Sequence, residues 1–292
     1  MGAENSKSQP PILSQPWREI NWHRDKQTDL QFVKNYKPQV KGQQLRILLH
    51  GPVGAGKSSF INSVQSVLQG RMYIQALADN ISHDSFTKKY TTYKIQKESP
   101  NTFYPFVFNN IMGLGPNKGV LVDDVKLALK GHIKDGYLFN PVSQISEDHA
   151  FYKTFPELND KVHVLVLVIC ADTLPLLTDK FVKELLEIRK AASDLGIPQV
   201  ALLTKIDQAC PEVKEDLKNV YKYEYIKKQM EKLSAEVGIP MNCIFPVKNY
   251  HEEIHVDNDT DALLLSSLRS IITCGDDYIN FTKQQTSSDR YA

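Results

Sequence analysis

The segment Gly51-Pro-Val-Gly-Ala-Gly-Lys57-Ser58 limits what this chain can fold into more than any other. It fits G-x-x-x-x-G-K-[ST], follows a short apolar run at 45–50, and has a helical pattern starting inside it. The glycines let the backbone fold tightly with its N–H groups turned inward. The start of the helix adds a field that favours anions. Lys57 is placed to reach β- and γ-phosphates, and the Ser58 hydroxyl to ligate Mg²⁺. Gly51, Val53, Gly54, Ala55, Gly56 and Ser59 complete the cradle. The bland alternative is a Gly-rich turn that merely opens a helix. Motif and context together argue against it.

The rest of the chain alternates strand and helix patterns. Strands are expected at 45–50, 90–95, 103–108, 162–169, 200–203 and 243–247. The run at 162–169 is almost wholly apolar, as suits a central strand covered on both faces. Pro105 marks an edge or irregular position in its strand. Helices are expected at 57–68, 120–130, 178–195, 212–237 and 261–272. This predicts an α/β fold: a three-layer P-loop NTPase fold, mainly parallel sheet with helices on both faces. Residues 1–16 are expected to be disordered, and 17–44 to form a lead-in segment packed on the domain. Residues 45–274 make the P-loop domain, with an insertion at 131–161. A flexible tail is expected over 275–292.

Thr204-Lys205-Ile206-Asp207 follows directly on the buried strand at 200–203. It resembles the [NT]-K-x-D base-recognition motif of GTPases. There the Asp carboxylate accepts from guanine N1–H and the 2-amino group, and the Lys stem lies along the base. Adenine has no matching donor pair and would leave Asp207 unpaired. A solvated turn with an Asp helix cap is the alternative. Val247, Lys248 and Asn249 stand where such proteins back the base with a loop. The expected ligand is therefore GTP or GDP with Mg²⁺.

With these residues in place, the chain resembles the interferon-induced protein 44 family. Pro16-Trp17-Arg18-Glu19, the loop 51–59 and Phe245-Pro-Val-Lys-Asn-Tyr250 carry the resemblance, over roughly residues 15 to 275. Larger members carry an additional N-terminal domain, for which this sequence leaves no room. The resemblance implies an interferon-inducible cytoplasmic protein of innate antiviral defence. Composition and spacing do not carry that role.

The hydrolytic half of the machine looks weakened. Ser85-Phe86-Thr87-Lys88-Lys89 stands where GTPases supply a Thr to the metal and γ-phosphate, and is similar to the same stretch of septin- and immunity-associated GTPases. Thr87 is the candidate metal ligand and the one candidate catalytic residue. Thr91 and Thr92 are alternatives, and all three could be plain strand residues. The D-x-x-G position reads Asn110-Ile-Met-Gly113, so a formal charge near the metal is missing. Asn110 could still act on Mg²⁺ through a bound water, at reduced affinity. Leu114 stands where many GTPases have a water-orienting Gln. Turnover, if any, is expected at the unaided rate, on the order of 10⁻⁴–10⁻² s⁻¹.

Two readings follow. One is a GTP–Mg²⁺ switch with slow hydrolysis. The other is a non-hydrolysing GTP- or GDP-binding interaction module, a scaffold in immune response. A phosphoryl-transfer kinase would need an acid and a lid, and neither signature is present. The partners expected are a guanine nucleotide, a homodimer through the nucleotide face and an unidentified protein. The insertion is a candidate partner or dimer surface, with a passive loop as the alternative. Net charge is +1, which argues against a nucleic-acid binder relying on bulk phosphate attraction. No apolar run is long enough for a membrane span. Met1-Gly2-Ala-Glu-Asn-Ser6 fits the myristoylation pattern, so membrane contact would require modification of Gly2. Cys170, Cys210, Cys243 and Cys274 form no C-x-x-C pair and read as free thiols in a reducing compartment. His251-Glu-Glu-Ile-His255 matches H-E-x-x-H, but Pro246 and Asp257-Asn-Asp leave little room for the helix that zinc chemistry needs.

Overall fold

The computed structural model describes residues 12–76, 88–115 and 119–288. Six strands form one sheet in the order β2-β3-β1-β4-β5-β6. They are β1 (Leu45–His50), β2 (Thr91–Gln96), β3 (Phe103–Asn110), β4 (Val164–Cys170), β5 (Gln199–Thr204) and β6 (Ile244–Pro246). Only the β2–β3 pair is antiparallel. Every position of β4 is buried, as its unbroken apolar run requires between two helical layers. Pro105 falls at the register shift between β2 and β3, where no regular ladder bond is lost.

The helices are α1 (Arg24–Asn35), α2 (Lys57–Gln69), α3 (Val122–Lys130), α4 (Asp179–Asp194), α5 (Ile206–Ala209), α6 (Pro211–Glu215), α7 (Glu224–Val237) and α8 (Asn258–Ser288). Thr178 caps α4 by accepting from the Phe181 amide. α1, α2 and α8 cover one face of the sheet, over Leu45, Ile47 and Leu49. α3, α4 and α7 cover the other, over Leu48, Leu165 and Leu203. The three-layer architecture expected from the sequence is the one found.

Three boundaries differ from expectation. The helix expected over 212–237 is broken, because the Asp216 carboxylate accepts from the Lys218 amide and competes with the helix ladder. The tail expected from Gly275 is instead helical to Ser288. A Cβ at Gly275 would lie 2.5 Å from Leu45 Cδ1, so this glycine brings α8 onto the sheet rather than ending it. Residues 12–16 are also ordered: Ile12 bridges Tyr223, and the Leu13 amide donates to Lys222 O. Residues 1–11, including Gly2, lie outside the described residues.

The lead-in is pinned to α8 at three points. Lys26 pairs with Asp261 at 2.9 Å, Arg269 pairs with Asp29 at 2.6 Å, and the Tyr36 hydroxyl meets Asp276 at 2.9 Å. The insertion 131–161 is largely packed: Ile133, Tyr137, Phe139, Ile145 and Tyr152 are buried. It leaves Leu138, Val142 and Phe155 exposed.

Candidate functional site

The loop after β1 stands at the carboxyl ends of the parallel strands, where open α/β sheets bind ligands. Gly51 has φ +133°, and a Cβ there would lie 2.0 Å from Val168 O in β4. Only glycine lets the chain turn off the strand so close to its neighbour. Gly56, at φ +91°, forms the left-handed step into α2. Lys57 is buried and donates from Nζ to Gly51 O at 3.1 Å and Pro52 O at 2.7 Å. Burial holds its pKa down at about 8. Beneath the loop His50 is also buried, with Nδ1 lacking a partner. Burial and the nearby Lys57 hold it neutral, with a pKa of about 3.

The base side is built from β5 and β6. Thr204 is fully buried, and its hydroxyl donates to Ala55 O at 2.7 Å, hooking the T-K-x-D segment onto the phosphate loop. Lys205 takes a left-handed conformation, φ +56°, and α5 starts directly after it. That step sets Asp207 beside Lys205 in a pocket of about 290 Å³, lined also by Gly56, Ser59, Lys248 and Asn249. Asn249 Nδ2 donates to Gly56 O at 3.2 Å, while its Oδ1 is buried without a partner. An orphaned acceptor in such a pocket fits a ligand that brings donors. Val247 is fully buried and extends the β6 ladder through its amide to Leu203 O, so its side chain does not line the pocket.

The γ-phosphate side differs from what the motif implies. Leu114 is 2 % exposed and belongs to the core under α3. Its amide donates to Gly51 O at 3.0 Å and its carbonyl accepts from the Val53 amide at 3.2 Å. Residues 113–114 are thus bridged in parallel to the phosphate loop at Pro52. A Cβ at Gly113 would lie 2.7 Å from Val53 Cα. The Val53 amide, expected in the cradle, is taken up by this bridge. The Ala55 amide, 3.4 Å from Pro52 O, is also turned within the loop. Asn110 ends β3 and donates from Nδ2 to Ser58 Oγ at 2.9 Å.

Thr87 lies outside the described residues. Both alternatives to it sit in β2, and the Thr92 hydroxyl accepts from Asn109 Nδ2 at 2.8 Å, within the sheet. His251–His255 is an irregular turn rather than a helix. Sequence reasoning missed Glu253, which lines the base pocket. It also missed Tyr250, which anchors the loop through its amide to Ser63 Oγ and its hydroxyl to Asp261. Tyr250 lies in the stretch that carries the family resemblance and Glu253 within the H-E-x-x-H match, but neither pattern marks these roles.

Fold, phosphate loop and T-K-x-D segment together define an α/β protein of the P-loop NTPase class. No family model matches the chain. Mouse interferon-induced protein 44 is 36% identical to it over 251 residues, covering 86% of this chain and 59% of the mouse protein. The human protein of that name is 34% identical, covering 86% of this chain and 56% of the human protein. Human interferon-induced protein 44-like is 31% identical, covering 85% and 55%. Over this shared region the chain belongs to the interferon-induced protein 44 family, and it spans under two thirds of the length of these relatives. Among solved structures, a point variant of Aquifex aeolicus Era bound to GDP and AlF4⁻ aligns with a TM-score of 0.38 and 13% identity, covering 78% of this chain and 57% of that one. No helix among the described residues is long and apolar enough to cross a membrane.

Proposed function

We propose that this chain binds a guanine nucleotide, GTP or GDP, as a switch or scaffold in the interferon response. One observation carries the reading: Thr204 and Asn249 tie the base side to the phosphate loop at Ala55 and Gly56, with Asp207 and the orphaned Asn249 Oδ1 beside them. Lys57 leaves its loop carbonyls to meet the phosphates, helped by the amides that open α2. Asp207 accepts from the guanine edge and Lys205 lies against its face.

The donors present suit Mg²⁺ only in part. Ser58 would hold it together with the nucleotide phosphates, where it would neutralise phosphate charge. Asn110 brings an amide in place of a carboxylate, and Thr87 is the remaining candidate ligand. The buried Leu114 favours the second reading, a module that holds nucleotide without useful turnover, because no side chain at that place orients water. A cytoplasmic location, an antiviral role, a protein partner and a dimer across the nucleotide mouth belong to the same proposal. So does membrane attachment through a modified Gly2.

The test is calorimetric titration of nucleotide-free protein with GTP, GDP and ATP. Tight binding of both guanine nucleotides and none of ATP is expected. Binding of ATP, or of nothing, would mean that 204–207 is only a turn. Single-turnover hydrolysis then separates switch from scaffold.

A further inference from the structure

The loop that leaves β6 is tied down from both sides. On the phosphate side, Asn249 donates to Gly56 O and the Tyr250 amide donates to Ser63 Oγ. On the solvent side, one carboxylate gathers the loop. Glu253 Oε2 accepts from the His251 amide at 2.8 Å and from the Glu252 amide at 3.1 Å. Glu253 Oε1 takes the Lys248 ammonium at 2.7 Å, and both side chains are 28% exposed.

We infer that Glu253 is a positioning residue for guanine: it clips Lys248 to the turn at 251–252 and so fixes the backbone of 248–249 against the base pocket. This rests on the guanine-nucleotide reading above. An Asp or Glu capping its own turn needs no partner five residues back. Here the same carboxylate reaches Lys248, a residue lining the base pocket, which an isolated turn would not require. The group is also held in its charged form. Burial raises its pKa, but the His251 amide and Lys248 outweigh that and hold it at about 2. Charge-assisted bonds of this kind fix geometry better than neutral ones. A loop fixed before the base arrives loses less freedom on binding.

The consequence is specific to the base end of the ligand. Releasing the clip acts on Lys248 and on Asn249 with its tie to Gly56 O, and leaves Lys57 and its contacts in place, so GTP and GDP suffer alike. The test measures GDP and GTP affinity of wild type, Glu253→Ala, Glu253→Gln and Lys248→Met, each with its melting temperature without nucleotide. Glu253→Ala is expected to weaken both nucleotides by about tenfold, with the GTP-to-GDP ratio unchanged. Glu253→Gln, which can still accept from both amides, should recover part of that loss. Lys248→Met should resemble it, which keeps the assignment testable if the alanine variant fails to fold. A folded Glu253→Ala or Lys248→Met protein with both affinities within twofold of wild type overturns the assignment while leaving the guanine site standing. Loss of affinity for GTP alone overturns it too. A wild-type protein that binds neither guanine nucleotide overturns the site itself and this assignment with it.

Discussion

Leu114→Gln puts a glutamine where many GTPases carry a water-orienting side chain, and the structure argues that it will not confer hydrolysis. Leu114 is 2 % exposed, packed in the core under α3, with its backbone bridged to Gly51 and Val53. A glutamine there loses the burial of a leucine side chain, about 2 kcal/mol. It also carries an amide into an apolar cluster, at about 1–3 kcal/mol if unpartnered. The expected loss is roughly 3–5 kcal/mol. With an unfolding entropy of about 2.1 cal/mol/K per residue, a chain of 292 residues should lose on the order of 5–8 °C in melting temperature. Differential scanning calorimetry reads the stability, and single-turnover hydrolysis reads the chemistry. The reasoning fails if the variant melts with wild type and hydrolyses GTP tenfold faster. That result would mean residue 114 faces the γ-phosphate in solution, and that the bridge to Pro52 is easily opened.

Other expectations follow from the same geometry. Lys57→Ala should abolish nucleotide binding, and normal GTP affinity in that variant would remove the phosphate-loop assignment. Asp207→Asn should weaken GTP by about 100-fold and erode its advantage over ATP, because two charge-assisted bonds are lost; unchanged selectivity in competition titrations would mean the base is read elsewhere. Lys57 has a pKa of about 8 in the free protein, and bound phosphates would raise it, so nucleotide binding takes up a proton once the pH passes 8. Affinity should be flat below about pH 7 and fall about fourfold by pH 8.5; calorimetry in two buffers that finds no proton uptake at pH 8.5 would contradict the buried-lysine picture. Gly51→Ala must force φ +133° on a side chain lying 2.0 Å from Val168 O, so it should lower the urea midpoint by the equivalent of at least about 3 kcal/mol. An unchanged midpoint would mean that the loop leaves β1 by another path.

Much of the fold and part of the candidate site are legible in the chain itself. The phosphate loop is legible because its glycines, lysine and serine act within eight consecutive residues. Thr204–Asp207 is legible because it sits at the end of an apolar strand, and its hydroxyl does reach the loop. What escaped detection depends on partners far away in sequence. Gly275 obeys the local rule for a helix end, yet Leu45 and Val164 lie against it and the helix passes straight through. Leu114 looks like a substituted catalytic position, while its place in the core is set by residues of α3 and β1. Glu253 falls only within the H-E-x-x-H match, because its tie to Lys248 has no signature in the spacing.

The pinning of α8 also bears on how the protein is made. Arg269 meets Asp29, and Asp276 meets Tyr36, across 240 residues of chain in each case. α8 packs on α2, β1 and β4, so the face of the sheet behind the phosphate loop is only partly covered, by α1 and α2, until it docks. During synthesis, β1 and β4 are complete long before that helix exists. The nascent chain therefore carries a partly uncovered apolar face between the synthesis of β4 and that of α8, the kind of surface that holding chaperones shield and that aggregates when they are scarce. Nucleotide affinity should then appear late and abruptly as the chain lengthens, since the helix that opens the phosphate loop rests on the one made last among the described elements.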